Sequence, residues 1–491
     1  MNIFTTYTQT SSMKITGSVI YALLAVYMIS CSHGKEKTKN TQQQTAEQTI
    51  PQTLPENFEK GKALSPIFIK EDSTQSYALY LPSSYSLKNK YPVIYFFDPH
   101  AAGYLPVNKY KELAEKYGYI LIGCNNSENG MQWENTNLVV RNMMHDSKTR
   151  ISIDPGRIYT GGFSGGSRIA SNTAIMIGGI NGVIACGAGL GTEQQPIQKF
   201  SFLGIAGNED FNYTELKDLD KSFNNSNWAH FFLEFDGKHE WPPVETMENA
   251  FVWLELNAMR DKLITKNDSM IKNFVAKNER DARKFESEKK TADEYKTLKK
   301  TAVFTAGLIS DSTRSKKIKK MESGKELQEI LRHKNELENR EEAMKRTYAE
   351  NMQTKNDTWW TGEVKKLSTE IKMLNDKEEI LIRKRVLNYL SLVAYMNTSN
   401  AIHLEDLKTA THFITIYKLV DPGNPDHAYL EAIVFANKNE PDKALQCLRE
   451  CVKLGYKDYK KMSSEKDFEK LNREYHEFGE LLTAVKENAE K

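Results

Sequence analysis

The chain has 491 residues, enough for two or three domains, and its 39% hydrophobic and 27% charged content is that of ordinary folded domains. A formal net charge of +2 excludes a globally basic nucleic-acid binder or a globally acidic chain. Five cysteines, at 31, 124, 186, 447 and 451, are too few and too scattered for a disulfide framework, and Cys447 and Cys451 have no neighbouring His or Cys to complete a metal site.

Lys14 precedes an apolar run at 19–29, which has the length of a signal-peptide core rather than of a bilayer span. Met13 is a second candidate start, because the twelve residues before it contain no Lys or Arg. Met28-Ile29-Ser30-Cys31 resembles the bacterial lipobox, which implies lipidation of Cys31 and attachment to the cell envelope through that lipid anchor. The resemblance to lipoproteins, with Ser32 after the cysteine, implies the outer membrane; the face is left open. Residues 32–60 are polar, rich in Gln, Thr and Lys, and lack hydrophobic periodicity, so they read as a disordered tether after the 1–31 signal segment.

Strands then alternate with helices over 61–258. Residues 76–82 alternate apolar and polar side chains and end at Pro82, as an early antiparallel strand would. Residues 91–97 are apolar on both faces, as a central parallel strand requires. A helix over 109–117, a strand over 119–123, a helix over 135–148 and a strand over 157–160 follow, then strands at 182–186, 202–206 and 231–235. This order predicts an α/β domain with a mostly parallel sheet and helices on both faces.

The strand ending at Thr160 runs into Gly161-Gly162-Phe163-Ser164-Gly165-Gly166, and a helix follows at once. Gly162 and Gly166 stand two positions either side of Ser164, where side chains would clash in a sharp strand-to-helix turn. Such a turn lifts the hydroxyl of Ser164 above the sheet and aims the Gly165 amide at the position of a developing oxyanion. A serine nucleophile needs a base, and the base an orienting carboxylate; in the hydrolase fold that this strand–turn–helix resembles, the chain order is serine, acid, histidine. Asp210 follows the strand 202–206, with Glu209 as its rival, and His239 follows the last strand. The turn after Phe97 should supply the second oxyanion donor. Pro99 has no amide hydrogen, so the His100 amide is the first candidate. No metal or other cofactor is expected.

Residues 77–82, Asp154-Pro-Gly-Arg-Ile-Tyr159, the Ser164 turn and Gly237-Lys-His-Glu-Trp-Pro242 together resemble secreted serine esterases of the α/β-hydrolase superfamily, in particular the feruloyl esterase and poly(3-hydroxybutyrate) depolymerase-like group. The resemblance covers roughly residues 65–258. It implies hydrolysis of acyl esters, on a small molecule or a polysaccharide, through an acyl-serine intermediate and without a cofactor. It departs from that group at Ser167, where Gly or Ala is usual, and at 98–100, where a His-Gly pair is usual. A peptidase of the same fold would share the residues. A degenerate hydrolase domain, with the helical half binding protein or glycan, is the rival from another class.

Only six of the 27 glycines follow residue 260, so the second half reads as all-α. Residues 259–397 form a charged helical region, whose basic run at 316–320 reads as a solvated face and not as a nucleic-acid site. Trp359-Trp360 is a candidate anchor onto the hydrolase domain, or a stacking site for a sugar. In 398–491, Ala432, Phe435, Ala444 and Leu448 have the spacing of a tetratricopeptide-like hairpin, with a helix at 407–420 stacked on it. A groove there for a protein partner is the functional expectation; a packing module is the plainer one.

Overall fold

The computed structural model describes residues 56–191, 196–224 and 228–490. The signal segment, Cys31 and most of the tether lie outside the described residues. Eight strands form one sheet in the order β1-β2-β4-β3-β5-β6-β7-β8. They are β1 (Ala63–Phe68), β2 (Ser76–Tyr80), β3 (Tyr91–Phe97), β4 (Ile120–Cys124), β5 (Ile153–Phe163), β6 (Gly182–Cys186), β7 (Ser201–Gly207) and β8 (His230–Phe235). Only β2 runs against its neighbours; from β4 across to β8 every pairing is parallel. This is the α/β-hydrolase sheet, and an all-helical region follows it.

Every residue of β3 is buried, as its continuous apolar run requires of a strand covered on both faces. One face is covered by α1 (Tyr104–Tyr117) and α5 (Val244–Arg260), through Val107, Tyr110, Met247, Phe251 and Leu254. The other carries α2 (Trp133–Arg150), α3 (Gly165–Met176) and α4 (Tyr213–Phe223), through Val140, Met143, Ala170, Ala174 and Leu216. Each large side chain so buried contributes about 1.5–3 kcal/mol relative to exposure. Several element bounds differ from the sequence expectation by a residue or two, and α1 begins at Tyr104 rather than 109. Strand β1 was not expected: it contains Pro66 and is half exposed, as an edge strand allows. Strand β5 begins at Ile153 rather than 157, because a register shift lets it pair with Tyr91 across Pro155 and Gly156.

The helical half includes α6 (Asp268–Ser287), α7 (Thr291–Phe304), α8 (Ser312–Glu322), α9 (Lys325–Asn351), α10 (Asp357–Met373), α11 (Lys377–His403), α12 (Leu407–Val420), α13 (Asp426–Asn437) and α14 (Pro441–Lys453). It has its own core, in which Trp360 is fully buried beside Tyr348, Val364 and Val386. Trp360 therefore anchors α10 within the helical half and not onto the sheet domain. Ala432, Ala444 and Leu448 are buried in that core where α13 meets α14. Sheet and helical half belong to one compact unit.

Candidate active site

Ser164 sits between β5 and α3 with φ 52° and ψ −122°, a left-handed conformation that a non-glycine residue adopts at a cost of about 1–3 kcal/mol. Its surroundings enforce that geometry. A Cβ on Gly162 would overlap the Gly166 carbonyl, and one on Gly166 would overlap the Phe97 carbonyl at the end of β3. The Ser164 amide donates to the Cys186 carbonyl of β6 at 2.8 Å. As the first residue of α3, Gly165 has an N–H with no intrahelical acceptor, at the positive end of the helix.

Ser164 Oγ lies 2.9 Å from His239 Nε2. Nδ1 of the same ring lies 2.9 and 3.0 Å from the two carboxylate oxygens of Asp210. Asp210 is 1% exposed, so its carboxylate is shielded from water and held by donors. The Asn212 amide donates to Asp210 Oδ1 at 2.8 Å, and Asn212 Nδ2 donates to the Gly187 carbonyl at 2.7 Å. Phe163 and Phe211 enclose the imidazole, with centroids 4.6 and 4.2 Å away. All three polar residues stand beyond the C-terminal ends of parallel strands β5, β7 and β8, where open α/β sheets place their sites. The sequence rival Glu209 is turned away: its carboxylate pairs with Lys384 of α11 at 2.7 Å.

The turn after β3 differs from expectation. The His100 amide donates to Asp98 Oδ1 at 2.9 Å, so this N–H is occupied within its own turn. Asp98 is buried, and its other oxygen accepts from the Trp241 indole N–H at 2.8 Å. Pro99 cannot donate, and the aspartate two residues before His100 captures the His100 amide. Asn129 packs on the same side, its backbone N–H donating to the Pro99 carbonyl at 2.9 Å and its side chain against Gly165.

Sequence reasoning did not find Gly187, Asn212, Trp241 as a hydrogen-bond donor, or any helical-half residue near Asp210. Gly187 carried one readable signal, a glycine directly after a buried strand. Its φ is +66°, and a Cβ there would stand 3.1 Å from His239 Cε1 and 3.2 Å from Asp210 Oδ2. Among the described residues, no cluster of three His, Cys, Asp or Glu side chains is arranged to hold a metal ion.

No family model matches the chain, and no curated protein matches it. Among solved structures it is similar to an S-formylglutathione hydrolase from Staphylococcus aureus, at 15% identity over 37% of this chain and 92% of that one, with a TM-score of 0.31. It is also similar to a ferulic acid esterase from the anaerobic fungus Anaeromyces mucronatus, at 16% identity over 41% of this chain and 94% of that one (TM-score 0.32). A thermophilic esterase from Thermogutta terrifontis aligns at 12% identity over 41% of this chain and 96% of that one, with a TM-score of 0.32.

Proposed function

We propose that this protein is a serine hydrolase of acyl esters. The observation that carries the proposal is the single imidazole of His239 between Ser164 Oγ and the buried carboxylate of Asp210. Nε2 takes the Ser164 proton as Oγ attacks the ester carbonyl. Asp210 accepts from Nδ1–H, which fixes the tautomer and stabilises the imidazolium that forms. The Gly165 amide donates to the oxyanion. The tetrahedral adduct collapses to an acyl-serine as Nε2 returns the proton to the departing alcohol. Water, deprotonated by the same nitrogen, then attacks the acyl group, and the second tetrahedral adduct releases the carboxylic acid as Nε2 returns that proton to Ser164 Oγ.

A fluorophosphonate probe tests this reading. Labelling of the wild type that is lost in both Ser164→Ala and His239→Ala supports it; a folded wild type that remains unlabelled sinks it. That second outcome favours a binding scaffold, the reading supported by the engagement of the His100 amide with Asp98.

The motif at 28–31 supports lipidation of Cys31 and an envelope location, in the outer membrane by the same resemblance. Metabolic labelling with a fatty acid should mark the wild type and spare Cys31→Ala. Equal labelling of both would remove the anchor.

A further inference from the structure

The loop that carries Asp210 joins β7 to α4, and the helical half holds it by its main chain on both sides of the aspartate. Arg385 of α11 donates through Nη1 to the Asn208 carbonyl at 2.8 Å. Asn388, one turn further along α11, donates to the Glu209 carbonyl at 2.8 Å. Lys345 of α9 donates to the Phe211 carbonyl at 3.1 Å. The carbonyls at 208, 209 and 211 are thus bound by side chains more than 130 residues away in sequence.

Two of these donors, Arg385 and Lys345, are themselves held by a shared carboxylate. Arg385 is 1% exposed and Glu341 is fully buried. Nε and Nη2 of Arg385 lie 2.8 and 2.6 Å from Glu341 Oε2, and Lys345 Nζ lies 2.7 Å from Glu341 Oε1. The guanidinium also sits 4.7 Å from the centre of the Tyr213 ring, the first residue of α4. A buried ionic triad of this kind is a weak source of stability, because desolvation offsets much of its attraction. What it supplies is geometry: donors that cannot rotate away, aimed at the loop that has to keep a carboxylate against an imidazole.

We infer that Arg385, Asn388 and Lys345 are positioning residues for Asp210, and that the helical half is part of the active site. The inference rests on the reading of Ser164, His239 and Asp210 as a catalytic triad.

The test is a double-mutant cycle in the full chain, read as the rate of fluorophosphonate labelling at Ser164. Arg385→Lys keeps a cation for Glu341 but loses the fork that also reaches the Asn208 carbonyl. It should slow labelling by up to about 100-fold, the scale expected for misplacing a reacting group by about 1 Å. On an Asp210→Asn background the same substitution should slow labelling no further, because the residue it positions is already disabled. A residue with a merely structural role gives the same factor on both backgrounds, and that result overturns the inference. Unchanged labelling in folded Arg385→Lys overturns it equally. Asn388→Ala lies outside the ionic triad and carries the same cycle if Arg385→Lys fails to give a cooperative melt. An unlabelled wild type removes the triad reading, and this inference with it; a labelled wild type with additive losses removes this inference alone.

Discussion

The Trp241 indole donates to Asp98, and this bond ties the loop carrying His239 to the turn at the end of β3. Both residues are buried, and the Trp241 ring also packs edge-on against Phe96 with centroids 5.8 Å apart. Trp241→Phe keeps most of the packing and removes the donor. The loss expected is about 1–3 kcal/mol, the cost of leaving a buried polar group unpaired. Denaturant melts should show it, together with slower fluorophosphonate labelling as the His239 loop loosens.

Gly187 separates site geometry from global stability in another way. Gly187→Ala places a methyl group between Phe163, His239 and Asp210 at a positive φ. Strain of about 1–2 kcal/mol follows from the backbone alone. The expected result is a protein that still folds but whose Ser164 labels much more slowly. Full labelling in a destabilised protein would show that the His–Asp pair tolerates the methyl group.

The two neighbouring acids should behave differently. Asp210→Asn leaves the imidazole in the wrong tautomer and should lower the rate by about 10⁴-fold, as in other serine–histidine–aspartate sites. Glu209→Gln loses only a partly exposed pair with Lys384, worth about 0–1 kcal/mol, and should change ester hydrolysis by no more than a few-fold. Similar losses in both variants would mean that the acid has been misassigned.

Glu234 on β8 makes the docking of the helical half sensitive to acid. Burial raises its pKa, but the charges of Lys296 and Lys334 together with hydrogen bonds from Lys296 and Tyr213 outweigh burial, and the net effect is to lower it from 4.5 to about 2. A carboxyl group depressed on folding adds stability above its unfolded value, and that contribution is lost as pH falls through the folded one. Wild type should therefore lose stability faster than Glu234→Gln between pH 4.5 and about 2. Parallel pH dependences in chemical denaturation would exclude this contribution.

What was legible in the sequence follows from how local each signal is. Strand β3 showed itself by a run apolar on both faces, and the Ser164 turn by glycines two positions either side. Asp210 and His239 were readable because each directly follows a strand. Strand β1 was hidden because an edge strand tolerates a proline and needs no apolar face. The Asp98 bond to the His100 amide depends on the rotamer of one side chain, which no pattern encodes. Arg385, Glu341 and Lys345 look like any other charged residues on long polar helices. Only the folded chain brings them to the Asp210 loop, and only burial distinguishes them from solvated neighbours.

Turnover through an acyl-serine has a direct chemical signature. The full chain can be mixed with a short p-nitrophenyl ester, quenched in acid during turnover, and digested for mass spectrometry. The acyl group should appear on the peptide containing Ser164, and both the adduct and nitrophenol release should be lost in Ser164→Ala. Nitrophenol release that persists in Ser164→Ala, or wild-type turnover with Ser164 unmodified, would contradict Ser164 as the nucleophile.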